Sequence, residues 1–141
     1  REQPISNLLT QLNLANKAQS YPRDLSTGEK QRVALGAVVV TQPEIIILDE
    51  PTRGLDQVAK QALIDLLMDW NQAGKTILIV THDVEFAAAF ATRIILLEDG
   101  KIIDQGDPRR IMHTHPRYAP QIARLYPQTN WLTIHDLNES S

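Results

Sequence analysis

The chain has 141 residues, the length of one ordinary domain, and that is enough to bury a substantial core. It carries 14 Lys and Arg against 17 Asp and Glu, a formal net charge of −3, so no general attraction to nucleic acid or anionic lipid is expected. The lack of cysteine excludes disulfides, thiolate zinc sites and thiol nucleophiles, and no apolar run approaches the ~20 residues of a membrane-spanning helix.

Two helices are predicted before residue 42. The first has apolar residues at helical spacing (Ile5, Leu8, Leu9 and Leu12), and Tyr21-Pro22 ends that helical stretch. The second starts at Ser26, a favourable N-cap residue, and Glu29 three positions later completes a capping box. Residues 33–40 are almost continuously apolar, so we expect this helix to be buried around most of its circumference.

Alternating strands and helices follow. The apolar run at 45–49 predicts a buried parallel strand that ends in two acids, Asp49 and Glu50. Leu63, Leu66, Leu67 and Trp70 mark one face of a predicted helix that ends near Gly74. Residues 76–80 predict a second strand running into Thr81-His82-Asp83. This alternation is typical of an α/β fold with a mostly parallel sheet and flanking helices.

The chain changes character after a short helix at 84–91. Asp99-Gly100 stands between two apolar runs and predicts a hairpin turn, so we expect the sheet to gain an antiparallel ribbon. Residues 109–141 hold short helical pieces and three prolines.

The acid pair at 49–50 suits a nucleotide site. An Asp at the end of a buried strand can hold Mg²⁺ through its water shell, while the neighbouring Glu polarises an attacking water. The alternative is that both are solvated carboxylates at a strand end. A phosphate-binding loop should accompany such acids, but Gly74-Lys75-Thr76 does not supply one. The pattern G-x-x-x-x-G-K-[ST] needs Gly where Asp69 stands, and this segment joins a helix to a strand rather than a strand to a helix.

Four segments together carry a specific resemblance. These are LSTGE at 25–29, IIILDE at 45–50, Leu55-Asp56 and the His of THD at 81–83, in the order and spacing found in ATP-binding cassette (ABC) ATPases. The chain resembles the carboxyl-terminal part of such a domain, from residue 1 to about 112. The resemblance implies a partial P-loop-NTPase-like fold that is truncated before the signature region, with the phosphate-binding loop upstream of Arg1.

The resemblance also implies roles for single residues. Asp49 matches the magnesium-site aspartate, Glu50 the general base, and His82 the switch histidine near the γ-phosphate. Asp56 matches the loop that crosses the dimer interface.

The signature loop is implied at residues 26–29. Ser26, Thr27, Gly28 and Glu29 match the loop that binds the γ-phosphate of ATP held by the opposite subunit. A capped helix start, with unpaired N–H groups and the positive end of the helix dipole, suits an anion. Thr27 and Glu29 depart from the usual Leu-Ser-Gly-Gly-Gln, which predicts a weaker contact unless the capping box turns Glu29 inward. Lys30 and Arg32 could offset that charge, although we favour a position on a solvated helix face for both.

The implied parent protein is an ATP hydrolase that uses ATP and Mg²⁺ and pairs with a second ATPase domain. Residues 99–111 resemble the hairpin and helix of transporter cassettes, and residues 118–129 resemble the tail of energy-coupling-factor importer ATPases. We therefore expect transmembrane transporter subunits as partners, a location on the cytoplasmic face of the membrane, and no nucleic acid. A chromosome, repair or translation ATPase is the alternative, and so is a dimerisation module without turnover.

The expected organisation has three parts: a helical remainder with the signature at 1–42, catalytic-core strands and helices at 43–112, and a tail at 113–141. Four further residues have ordinary structural interpretations. His113 and His115 lack the additional ligands of a metal site, His135 is predicted at the surface, and Trp70 is predicted in the core.

Overall fold

The computed structural model describes residues 5–139, with side chains through 138, and divides into two compact units. The first unit is Arg1–Val80 and the second is Thr81–Ser141. Among the described helices, none combines the length and the apolar composition that a membrane crossing requires.

In its described residues, the first unit contains three α-helices and two strands. They are α1 (Ile5–Gln11), α2 (Thr27–Val39), β1 (Ile45–Asp49), α3 (Gln57–Gln72) and β2 (Thr76–Val80). Both strands have the predicted bounds. The first helix stops earlier than predicted, at Gln11 rather than near Tyr21. The reason is that Asn13 adopts a left-handed conformation (φ 53°), which Asn tolerates and which cannot continue a right-handed helix.

Strands β1 and β2 form a parallel pair in which Asp49 lies opposite Val80. β1 is parallel, as predicted, but it is buried on one face only. Ile46 is 1% exposed on the covered face. The opposite face carries four exposed apolar side chains, at Ile45, Ile47, Leu78 and Val80. Each strand alternates in exposure because its side chains alternate between the two faces of the sheet.

Helix α2 is also covered on one side only, so the prediction of burial around most of its circumference is wrong. Leu35, Gly36 and Val39 are buried, whereas Val33 and Val38 are exposed. The buried side faces α3, with a small cavity of about 10 Å³ between the two helices. A continuous apolar run allows a helix to be buried on every side, but burial also requires other parts of the protein that pack against each side.

Helix α3 has the predicted buried stripe. Its core-facing residues are Leu63, Ile64, Leu66, Leu67 and Trp70. After the helix, Gly74 turns the chain (φ 90°) and Lys75 Nζ donates to the carbonyl of Pro43 at 2.8 Å. The segment Gly74-Lys75-Thr76 is therefore a helix-to-strand connection, as predicted.

The part of the second unit that the structure describes is built from four α-helices and a hairpin. They are α4 (Val84–Phe90), β3 (Ile94–Glu98), β4 (Lys101–Gly106), α5 (Pro108–Thr114), α6 (Gln121–Leu125) and α7 (Ile134–Glu139). Asp99 and Gly100 form the hairpin turn with φ angles of 47° and 73°, which match the two left-handed positions of a type I′ turn. The expected ribbon is present, but β3 and β4 form a two-stranded sheet of their own and do not extend the parallel pair.

A small apolar cluster holds the end of the second unit together. It consists of Met112, Ala119, Ala123 and Leu132. Beside it, Asp136 accepts from the backbone N–H groups of Leu132 and Thr133, both at 2.9 Å, and pairs with Arg109 at 2.5 Å. Burial alone would raise the pKa of Asp136, but these donors outweigh it and lower the pKa to about 2.

Candidate functional site

The start of α2 forms the capping box that the sequence predicts. The Glu29 backbone N–H donates to Ser26 Oγ at 3.2 Å, and the Ser26 N–H donates to Glu29 Oε2 at 2.7 Å. The next two backbone N–H groups, of Thr27 and Gly28, belong to the first turn, where no helix carbonyl can accept from them. A hydroxyl has one proton and two lone pairs, so Ser26 Oγ can accept this bond and still donate outward.

An open groove of about 580 Å³ begins at this helix start. Ser26, Thr27 and Gly28 line one side of the groove, and the loop from Gly54 to Asp56 lines the other. Gly54 adopts a left-handed conformation (φ 76°), and a Cβ placed on it would lie 3.9 Å from the methyl carbon of Thr27. The structure thus brings together five of the predicted site residues, because Glu29 is tied to Ser26.

Asp56 stabilises the start of α3. It is the N-cap of α3, and its Oδ1 accepts from the Ala59 N–H at 2.8 Å. Its side chain lines the groove and is exposed, so the cap does not withdraw it from the surface.

The acid pair lies at the carboxyl end of β1. Asp49 is the last residue of the strand and is exposed. Glu50 is half-buried and adopts a left-handed backbone conformation (φ 47°), which is uncommon for a residue with a Cβ and costs of order 1–3 kcal/mol. Backbone bonds on both sides hold it there: Glu50 N donates to Val80 O at 2.8 Å, and Arg53 N donates to Glu50 O at 3.1 Å. The turn therefore fixes the direction in which the second carboxylate leaves the strand.

His82 lies in the second unit, two residues after the end of β2, and is exposed. Its neighbours build the turn that presents it. The Asp83 N–H donates to Thr81 Oγ1 at 3.0 Å, and Asp83 caps α4 by accepting from Phe86 N at 3.0 Å. The first and third residues of THD thus shape the backbone, and the middle residue is left at the surface.

Comparison with known proteins gives one consistent family. The family model described as "ABC transporter" matches residues 1–53. A "Putative ABC transporter ATP-binding protein" of Clostridium tetani is 39% identical over 126 residues, which cover 89% of this chain and 29% of that protein. The structure of cbiO1 from Clostridium perfringens, described as part of the ABC transporter complex cbiONQ, superposes with a TM-score of 0.74 at 29% identity. The chain is part of an ABC transporter ATP-binding domain.

The match covers most of this chain but a minor share of its relatives. The energy-coupling factor transporter ATP-binding protein EcfA2 of Methanospirillum hungatei is 46% identical over 107 residues, which cover 76% of this chain and 27% of that protein. The cbiO1 superposition covers 86% of this chain and 47% of that structure. The chain therefore spans less than half the length of the ABC proteins described here.

The capping box turns the side chain of Glu29 back toward the backbone of Ser26. Its carboxylate is bonded to Ser26 N and lies 3.4 Å from Lys17 Nζ. The Ser26 N–H, and then Lys17, hold the pKa of Glu29 below its ordinary value against the opposing effect of partial burial. Glu29 is thus ionised at neutral pH, and its charge is met by Lys17, a residue that sequence reasoning missed. No pattern in the sequence marks Lys17, because the turn that carries it has no regular spacing to α2.

The structure also places Arg32 differently from the prediction. The suggestion that it lies on a solvated helix face is wrong, because it lines the groove and its Nε is buried without a hydrogen-bond partner in the described residues. Its Nη1 lies 3.6 Å from where a Cβ on Gly28 would stand. Lys30, by contrast, is exposed.

The histidines and the tryptophan that were given structural interpretations are the remaining candidates. His115 Nε2 lies 2.9 Å from Asp104 Oδ2, and Arg110 holds the same carboxylate through two contacts. His135 is exposed, as predicted. Trp70 is 5% exposed and belongs to the core of the first unit, as predicted.

Proposed function

We propose that this chain belongs to the ATP-hydrolysing subunit of an ABC importer. The importer assignment is supported by identity to EcfA2 at 46%, to the EcfA protein of Methanocaldococcus jannaschii at 38%, and to the glutamine transport ATP-binding protein GlnQ of Escherichia coli at 34%. Because two of these three are energy-coupling factor transporter proteins, we propose that subtype. The domain division at residues 42 and 112 stays a prediction.

The observation that carries the proposal is the groove at the start of α2. It combines a capped helix end, two first-turn N–H groups and the Ser26 hydroxyl on one wall, with the Gly54–Asp56 loop on the other. Such a helix end attracts anions through its free N–H groups and the positive end of the helix dipole. In the proposed dimer, Ser26, Thr27 and Gly28 bind the γ-phosphate of ATP held by the second ATPase domain. Asp56 lies beside that interface.

The hydrolytic half of the proposal concerns the carboxyl ends of β1 and β2. Asp49 offers one exposed carboxylate, which fits Mg²⁺ because this ion keeps several waters and takes few protein ligands besides phosphate oxygens. When bound with ATP, Mg²⁺ neutralises charge on the phosphates. Glu50, fixed by its strained turn, accepts the proton of the attacking water, and His82 donates a hydrogen bond toward the γ-phosphate.

The proposed partners are a second ATPase domain and transmembrane subunits. The named relatives support this, since cbiO1 is described as part of a transporter complex. The subunit would sit on the cytoplasmic face of the membrane, held there by those partners.

The test compares two cap deletions in the full-length subunit. Ser26→Ala removes a cap in the groove, and Asp107→Ala removes the cap of α5, whose Oδ1 accepts from Arg110 N at 3.2 Å. Each should cost ~0.5–2 kcal/mol of stability. Only Ser26→Ala should also raise, by tenfold or more, the ATP concentration needed for dimerisation, measured by light scattering. Equal ATP responses in the two variants would contradict the phosphate role and reduce Ser26 to a helix cap.

A further inference from the structure

The carboxylate of Glu29 is held at both of its oxygens. Oε2 accepts from Ser26 N at 2.7 Å, and Oε1 lies 3.4 Å from Lys17 Nζ. The Glu29 side chain is 18% exposed and the Lys17 side chain is 36% exposed. Charges shielded to this degree interact more strongly and are screened less by salt than charges in open water.

An ionised carboxylate at this position opposes the binding of an anion. It lies in the first turn of α2, next to Thr27 and Gly28, which line the groove. Carboxylates are favourable at a helix start because they complement the positive dipole end, and for the same reason they compete with any other anion there. A helix start that carries Glu29 and also binds phosphate needs a cation to cancel that charge.

We propose that Lys17 is a positioning residue of the phosphate site. It holds Glu29 against the Ser26 N–H and cancels its charge, so that the start of α2 retains its attraction for the terminal phosphate of ATP. Lys17 acts through Glu29 and not by touching the nucleotide. This role rests on the proposed function of the groove.

Folding stability does not account for the pair. A partly exposed salt bridge contributes little to stability. The backbone around Lys17 is held independently of its side chain, since Lys17 N donates to Leu14 O at 2.9 Å and Ser20 N donates to Lys17 O at 2.9 Å. Removing the ammonium group should leave this turn in place and change the electrostatics at Glu29.

The experiment uses the full-length subunit and measures the ATP concentration at half-maximal dimerisation, kcat for ATP, and Tm. Lys17→Met should raise that ATP concentration about tenfold, which corresponds to ~1.4 kcal/mol, with kcat within twofold and Tm within about 2 °C of wild type. Lys17→Arg should restore the wild-type response. Lys30→Met is the matched control: it removes the same charge from the first turn of α2 without breaking a contact to Glu29, and it should change the response less than threefold.

The decisive variant is the double substitution. Glu29→Gln removes the opposing charge and keeps an oxygen for Ser26 N, so Lys17→Met in that background should change the ATP response less than twofold. The proposal is overturned if Lys17→Met alone has no effect, if its effect persists with Gln at 29, or if Lys30→Met matches it. If Ser26→Ala impairs the ATP response while Lys17→Met does not, only the role of Lys17 fails. If Ser26→Ala is also without effect, the proposed function of the groove fails as well.

Discussion

Two glycines of α2 should respond in opposite ways to the same substitution. A Cβ on Gly36 would lie 2.6 Å from Leu12 Cδ1, and Leu12 is 2% exposed, so its side chain has little room to move. A Cβ on Gly28 would find its nearest neighbour, Ala59 Cβ, at 3.5 Å, an ordinary contact distance. Gly36→Ala should therefore strain the packing of α2, whereas Gly28→Ala should be accommodated.

The magnitudes follow from two opposing terms. Replacing Gly by Ala inside a helix gains up to ~1 kcal/mol in propensity, and overpacking a core typically costs ~1–3 kcal/mol. Gly36→Ala is then destabilising by ~0–3 kcal/mol, while Gly28→Ala is neutral or stabilising by up to ~1 kcal/mol. For a domain of about 150–250 residues, 1 kcal/mol shifts Tm by ~2–4 °C.

Thermal unfolding of the nucleotide-free full-length subunit measures both variants. We expect Gly36→Ala to melt below Gly28→Ala, and Gly28→Ala to dimerise poorly with ATP although it is stable, because its methyl group occupies the groove wall that phosphate approaches. Equal Tm values would refute the packing argument for Gly36. A stable Gly28→Ala variant with a wild-type ATP response would refute the close approach at Gly28.

Two further predictions concern the Asp136 carboxylate and the behaviour of the 141-residue chain by itself. Asp136→Asn should destabilise the protein by ~1–3 kcal/mol at neutral pH because it weakens several hydrogen bonds. The pKa of Asp136 is about 2 in the folded protein and 3.8 ordinarily, so the stability advantage of the wild type is present above pH 3.8 and is lost as the pH falls through about 2. A difference in unfolding free energy that does not change with pH would contradict this. The chain of 141 residues alone should bind ATP–Mg²⁺ with a Kd no better than ~1 mM, about −4 kcal/mol. It should also self-associate through the exposed sheet face at Ile45, Ile47, Leu78 and Val80. Calorimetry measures the binding and light scattering measures the association, and micromolar binding by a monomer would contradict both expectations.

The local elements were predictable because local chemistry determines them. The capping box at Ser26 and Glu29, the bounds of β1 and β2, and the Asp99-Gly100 turn each depend on residues within a few positions of one another. Their geometry is the same in the structure as in the expectation, since few other conformations satisfy those backbone groups.

Burial was less predictable, because it depends on surfaces distant in sequence. The apolar residues predicted that α2 is buried around most of its circumference and that β1 is a buried strand, and the described residues cover only one side of each. The ion pair between Lys17 and Glu29 was not predicted, for the same reason. Lys17 meets Glu29 across a turn of irregular structure, and nothing in the spacing of the two residues indicates the contact.

The sequence predicted which residues belong to the candidate site, and the structure adds the backbone conformations and hydrogen bonds that position some of them. Ser26, Thr27, Gly28 and Asp56 share one groove. The strained turn at Glu50 was not visible in the sequence, because a left-handed Glu before Pro51 is unusual and no propensity favours it.

The measurement that tests the central claim most directly is ATP hydrolysis by the full-length subunit carrying Glu50→Gln, with Glu44→Gln as the matched control. Glu44 is an exposed carboxylate just before β1, at the opposite end of the strand from Glu50. Loss of a general base predicts turnover reduced by ~10²–10⁴ for Glu50→Gln with ATP binding retained, and Glu44→Gln within about twofold of wild type. Turnover of Glu50→Gln within about threefold of wild type would remove Glu50 from the mechanism and contradict the assignment of the β1 end as the hydrolytic centre.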